Sequence, residues 1–372
     1  MTKFELAIST GYVPDWGIVE AFRELFQNAL DNEITNPENK MSWDFTDNTV
    51  NIRNKTSKLP VESLLLGNTT KASDTSTIGK HGEGYKIAFM VLLRNNKQIK
   101  VYNYGAKEVW EVRLVKSKKY NGQLVPTVFV EKNHIWNKVP SHDLTISVSG
   151  ITESEYKDIV AKNLHLRTNT ISKFRMKNRG DIILSEKEKG NIYVKGLYVT
   201  HIPNMQYGYD FEPSVLSLDR DRKLVDSFDV SWEASILWQN ATAEDQDLAM
   251  MAVELFNNEA LDVRYVHKVS YNNMPLRNAI AKNFFEVYGD NAVPVVNNIE
   301  YDEVKSNNLG KPVIVGAEKA EMIRKSSFAD TRPYVKPKTV KEKLKEFADK
   351  IENKLSDTEL NELLSLIEKV EN

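Results

Sequence analysis

No cysteine occurs among the 372 residues, which excludes disulfides, thiolate zinc sites, iron–sulfur clusters and a cysteine nucleophile, and fits a reducing compartment. An excess of one charge is missing too. Fifty Lys and Arg stand against 52 Asp and Glu, so no global field draws nucleic acid or an anionic membrane, and any DNA contact would come from a local patch. No stretch approaches the ~20 uninterrupted apolar residues of a membrane span. Met1 to Thr10 carries no basic flank followed by an apolar run, so a cytoplasmic protein without a membrane partner is expected. Pro and Gly, at 12 and 16, are too few for a disordered or fibrous chain.

What is present is globular in pattern and long enough for two or three domains. From Pro14 the apolar residues Ile18, Val19, Phe22, Leu25, Phe26, Ala29 and Leu30 recur at three and four, the stripe of an amphipathic helix with Asp15 as its cap. Met41 to Phe45 and Val50 to Arg53 alternate as a hairpin. A polar, glycine-containing stretch from Asn54 to Glu83 separates them from an apolar helix, Tyr85 to Leu93. Strand-like runs follow at 98–104, 108–115, 127–131 and 144–149. This order predicts an α+β sandwich over residues 1–150, one sheet covered by helices on one face.

A second α+β domain is expected at 151–262, opened by a helix with Thr152 and Glu155 as a capping box. Its strands are placed at 182–184, 191–202 and 215–218, and one helical pattern runs from Val225 to Asn257. Alternating helices and strands then mark a small α/β module at 263–335. A charged, Pro-punctuated linker leads to an amphipathic helix or helical pair in 336–372.

Two patterns carry chemistry. Glu24, Asn28 and Asp31 lie at i, i+4 and i+7 of the first helix, within an arc of roughly 60°. Ile78-Gly79-Lys80-His81-Gly82-Glu83-Gly84-Tyr85-Lys86 sets three glycines immediately before an apolar helix. Such a loop can wrap a polyphosphate and present N–H donors, with the helix N-terminus adding its positive dipole end. Neither the common phosphate-loop spacing nor the dinucleotide-turn spacing is matched.

With these residues in this order, the chain resembles the GHKL superfamily, the Bergerat-fold ATPases of gyrase, 90-kilodalton heat-shock chaperones, histidine kinases and MutL-type repair proteins. Glu24, Asn28 and Asp31 match its acidic helix. Ile78 to Lys86 matches its second glycine box, most closely the chaperone form, and Leu66 to Lys71 looks like the start of the ATP lid. The likeness covers about residues 15–150 and continues faintly to about 260. In the first glycine box, where the family has an adenine-binding Asp followed by glycines, this chain has Asn54, Lys55, Thr56, Ser57 and Lys58.

The resemblance implies ATP and Mg²⁺ as cofactors, with Asn28 on the metal and Glu24 orienting or deprotonating the attacking water. Asp31, Asn54, Thr56, Gly79, Gly82 and Gly84 would bind the nucleotide, with Lys71 and Lys86 as phosphate cations. The second domain would be ribosomal-protein-like and send Arg222 to the γ-phosphate, with Lys195 in reserve. Slow hydrolysis would then drive domain closure or formation of a homodimer. Two other readings remain open: a nucleotide-sensing or scaffold module that does not hydrolyse, and a DNA-manipulating ATPase of the gyrase or MutL type. The client, protein or DNA, is not named by any motif.

Overall fold

The structure is a computed structural model that describes residues 1–64, 84–132, 142–167, 172–216, 218, 227–269, 274–329 and 339–370. The chain divides into two compact units, Met1–Ala241 with Leu255–Val269, and Thr242–Glu254 with Ser270–Asn372.

The first unit begins with β1 (Thr2–Glu5), α1 (Ile18–Thr35), β2 (Met41–Thr46), β3 (Thr49–Asn54), α2 (Gly84–Arg94), β4 (Gln98–Asn103), β5 (Glu108–Lys116), β6 (Leu124–Lys132), β7 (Leu144–Ser149) and α3 (Glu153–Ala161). Its strands form one antiparallel sheet in the order β1-β6-β5-β4-β7-β3-β2. Register places every second apolar side chain in a continuous face: Val50 opposite Val148, Val148 opposite Ile99, and Ile99 opposite Val112. Ile52, Ile146, Val101 and Trp110 make the neighbouring row. All are buried, together with Phe22, Leu25, Phe26, Ala29 and Leu30 of α1 and the whole run Ile87 to Leu92 of α2, while Ile18 and Val19 pack against this core partly buried. A helix apolar on every side belongs inside, and here it is.

Local chemistry shapes the ends of these elements. Asp47 and Asn48 both have positive φ, 48° and 56°, the twist that joins β2 to β3 in a two-residue turn. Thr152 and Glu155 cap α3 reciprocally, as expected from the sequence. For α1 the expectation of Asp15 as cap does not hold. Gly17 precedes the helix, and Glu20 Oε2 reaches back to accept its N–H at 2.8 Å. The Arg94 guanidinium grips the preceding segment by donating to the carbonyls of Thr10, Tyr12, Val13 and Trp16.

A five-stranded sheet follows, built from β8 (Lys173–Met176), β9 (Gly180–Ile183), β10 (Asn191–Val194), β11 (Leu197–His201) and β12 (Gly208–Phe211), in the order β11-β10-β12-β9-β8. The strand expected over 191–202 is two, because Lys195 and Gly196 adopt positive φ (52° and 76°) and fold it into a hairpin. Val215 and Leu216 lie in a turn instead of a strand. β12, Gly-Tyr-Asp-Phe, supplies the missing strand with too little β-branched character to be read in advance. Likewise the single helix expected from Val225 is two, α4 (Ser227–Glu244) and α5 (Gln246–Asn257). Asp245 interrupts them, its carboxylate accepting from the N–H groups of Asp247 and Leu248 as an N-cap does. One face of the sheet is fastened by Asp262, fully buried, which accepts from Gln206 N, Tyr207 N and Tyr209 OH, while Trp238 Nε1 donates to the same phenol oxygen.

After a short α6 (Val266–Val269), the second unit holds α7 (Met274–Tyr288), β13 (Ala292–Val295), α8 (Asn298–Ser306), β14 (Lys311–Ile314) and α9 (Ala317–Arg324). The two strands are parallel, and Val293, Val295 and Val304 form a small core. The amphipathic tail is a helical pair, α10 (Val340–Ile351) and α11 (Asp357–Glu368), held by Lys341 and Lys345 on Glu368. Among the described residues no helix is long and apolar enough to cross a membrane.

Candidate functional site

Helix α1 delivers its three polar residues to different depths. Glu24 is 1% and Asp31 0% exposed, whereas Asn28 is half-buried. Asn28 Nδ2 donates to the Glu24 carbonyl one turn earlier at 2.8 Å, which fixes the amide and turns its oxygen away from its own helix backbone. The Glu24 carboxylate lies between two neighbours. On one side Arg23 Nη2 is 3.5 Å from Oε1, its guanidinium resting on the Trp16 ring. On the other is Gly84, the first residue of α2. A methyl group there would sit 2.8 Å from Glu24 Oε2 and 2.8 Å from Asn28 Nδ2. The end of the glycine stretch thus comes directly against the acidic helix, so close that a Cβ at Gly84 would push the ends of the Glu24 and Asn28 side chains aside.

Asn54 ends β3 and is buried. Its Nδ2 donates to the carbonyls of Ala29 and Asn39, both at 2.9 Å, so the orientation of the amide is set and the oxygen is the polar atom these two bonds do not use. Two residues on, Thr56 has φ +46°, the left-handed region that a β-branched residue rarely adopts. Its N–H donates to Asp143 Oδ1. The backbone at Thr56 therefore takes a path that glycine adopts more readily. Ser57, buried beside it, accepts from Asn32 of α1 at 2.6 Å.

Other expected residues are placed as follows. Lys86 is 1% exposed, within the packed part of α2. Asp31 acts electrostatically on Tyr85, whose phenol is raised well above its ordinary range by burial and then by that charge. Lys195 pairs with Glu212 at 2.8 Å. Lys71, Gly79, Gly82 and Arg222, and the whole stretch 66–71 likened to the start of an ATP lid, lie outside the described residues. Arg23 and Asp143 were not singled out from the sequence. Adjacent helical residues do not share a face, so Arg23 beside Glu24 had no periodic signal, and Asp143 meets Thr56 only through the pairing of β3 with β7.

No protein-family model matches the chain. It is 28% identical over 218 residues to an "Uncharacterized protein" of Mycoplasma pneumoniae, covering 56% of this chain and 85% of that one. Among solved structures it is similar to the ATPase region of Saccharomyces cerevisiae topoisomerase II, with TM-score 0.30 and 12% identity over 49% of this chain and 62% of that one. The same region bound to dexrazoxane gives TM-score 0.33, 12% identity, 49% and 63%. The chain thus spans less than two thirds of either solved structure's length.

Proposed function

We propose that the first unit binds ATP with Mg²⁺ in the manner of the GHKL proteins it resembles, and hydrolyses it slowly. The observation that carries this reading is the approach of Gly84 to Glu24 and Asn28: two motifs about 60 residues apart in sequence meet so closely that a Cβ at Gly84 would displace both side-chain ends.

The residues present suit the cofactor. Asn28 offers a neutral oxygen because its nitrogen is committed to the Glu24 carbonyl, and a hard cation accepts such an oxygen alongside phosphate and water. The absence of a side chain at Gly84 keeps the space beside Asn28 open. Bound Mg²⁺ would supply neutralisation of phosphate charge. Glu24 would orient a water molecule and take its proton, with Arg23 restraining the carboxylate rotamer. Asn54 Oδ1 would accept from an exocyclic base amine, a role open to an amide whose two hydrogens are already used. The resemblance would assign the remaining phosphate contacts to Lys71, Gly79 and Gly82, and the γ-phosphate cation to Arg222.

A sensor that binds without turnover is the second reading, favoured by the neutral Asn54 where a carboxylate would strengthen base binding. A panel of ATP, GTP, ADP and a non-hydrolysable ATP analogue with Mg²⁺, scored by thermal shift and phosphate release, separates the two. Glu24→Gln is expected to keep ATP binding and lose about 10² or more in kcat, the usual size of general-base assistance. Phosphate release from the wild type no faster than from this variant would establish the sensor.

A further inference from the structure

The five-stranded sheet has an apolar face and a charged one. Ile182, Ile192 and Tyr209 are buried on the first. Across the second, register aligns Arg175 of β8 with Asp181 of β9, and Asp181 with Asp210 of β12. Two carboxylates directly opposite one another repel unless cations intervene. Asp181 is neutralised by Lys173 Nζ at 3.1 Å and by Arg175 Nε and Nη2, both at 3.0 Å. Over this face lies a cavity of about 660 Å³, bounded on one side by Leu164 and by His165, whose Nε2 is 2.7 Å from the Lys195 carbonyl. That is the size of a small-molecule site.

Its charges are separated. Lys195 and Glu212 pair at 2.8 Å and cancel. Along β8 and its turn, three cations (Lys173, Arg175 and Lys177) face one carboxylate, and among the described residues Lys177 has no ion pair. Two strands across from β8, Asp210 accepts one hydrogen bond, from Gly196 N at 2.7 Å, where an ionised carboxylate has room for about four. Burial, with Asp181 and Glu212 nearby, holds that carboxyl up to about 6. A simple anion would meet Asp210, and a simple cation would meet the excess on β8.

We infer that this cavity binds a small zwitterion, its phosphate or carboxylate held by Arg175 and Lys177 and its amino group donating to Asp210. The class includes acidic amino acids and phosphorylated amines, and the site is separate from the α1–α2 constellation. Both contacts form without rearranging the Asp181 or Glu212 pairs, because Arg175 is 74% exposed on the rim and retains further donors.

The test is calorimetric titration of the full chain with phosphoethanolamine, L-glutamate, inorganic phosphate and ethylamine. A zwitterion is expected to bind at least about tenfold more tightly than phosphate or ethylamine alone, and the phosphate and carboxylate probes identify which anion is preferred. Asp210→Asn should erase the advantage over phosphate while keeping the Gly196 bond through the amide oxygen. Lys177→Ala, at an exposed position that breaks no ion pair among the described residues, should weaken zwitterion binding several-fold with the thermal unfolding of the chain preserved. It carries the test even if Asp210→Asn fails to fold or Arg175→Ala lowers stability by disturbing the buried Asp181. Zwitterions no tighter than phosphate, or binding indifferent to Arg175 and Lys177, would overturn the assignment and leave a charged edge strand that merely resists pairing.

Discussion

The α1–α2 constellation and the charged cavity of the second sheet are both small sets of polar residues around open space, yet only the first could be read from the sequence. Its members sit on one helix at i, i+4 and i+7, and its counterpart is a glycine at the start of another helix. Helical geometry converts such spacing into proximity without knowledge of the rest of the fold. The cavity draws Arg175, Asp181 and Asp210 from three strands, brought side by side by registers that no local pattern encodes. Spacing along a helix is legible; neighbourhood across strands has to be seen.

The largest expected effect tests whether the first site depends on close approach. In Gly84→Ala the added methyl meets the ends of two side chains, Asn28 Nδ2 and Glu24 Oε2, and no backbone. Those groups can swing aside, so the fold should survive while the arrangement proposed to hold Mg·ATP is lost. Displacement of this kind costs about 1–3 kcal/mol, roughly fivefold to 150-fold in affinity. Titration of the variant with ATP analogue and Mg²⁺ checks it; wild-type affinity would mean that the meeting of the two motifs serves packing alone.

Next comes the strand-borne member of that same site. Asn54→Asp would supply the carboxylate that the GHKL pattern carries there, but the structure makes it costly. Both Nδ2 donors would vanish, and a buried carboxylate would face the carbonyls of Ala29 and Asn39. An unsatisfied buried group costs about 1–3 kcal/mol, and a charged one more, so thermal unfolding should occur several degrees lower. A variant as stable as the wild type with tighter ATP binding would show that Asn54 is a simple loss and not an adaptation to its surroundings.

For the cavity, the comparison is sharpened by pH. The Asp210 carboxyl is raised from 3.8 to about 6 by burial, against the hydrogen bond from Gly196 and the charge of Lys173, with Asp181 and Glu212 adding to the rise. Between those values the unfolded chain has released the proton that the folded chain still holds, so stability falls as pH rises through this window and stays lowered above it. Asp210→Asn should remove that fall, an effect of order 1 kcal/mol once partial solvent access is allowed for. Chemical denaturation at pH 4 and pH 7 measures it; the same change in stability between the two pH values in variant and wild type would show that burial does not raise the Asp210 carboxyl.

The same contrast accounts for how much of the molecule could be anticipated. Strongly periodic elements, α1, α2 and the β2–β3 hairpin, come out within a few residues of where alternation and the i, i+3, i+4 pattern put them. β1 and β8 are four residues each, too short to show a period, and β12 contains a single strongly strand-favouring pair, Tyr209 and Phe211, around Asp210. Within the site, Glu24, Asn28 and Gly84 were visible as types in a pattern. Arg23, Asp143 and the carbonyls that orient Asn54 were not, since each acts through a contact that only tertiary structure creates.

The smallest effect concerns the place where sequence and backbone disagree. Thr56 stands where the resemblance to the GHKL pattern would put a glycine, and its φ is +46°; strain of that kind in a β-branched residue costs about 1–2 kcal/mol. Thr56→Gly relieves it and gives back part as the extra backbone entropy of the unfolded glycine, roughly 0.5–1 kcal/mol. The net gain should be about 0.5–1 kcal/mol, a rise in Tm of a few degrees or less. Thr56 N–H donates to Asp143 through the main chain, so the substitution leaves that bond in place. Nucleotide affinity should not change, because the path that a glycine would take is already taken. If Thr56→Gly instead raised ATP affinity several-fold without stabilising the fold, the hydroxyl and methyl groups of Thr56 would be obstructing the nucleotide, and the departure in the first glycine box would be a restraint on binding.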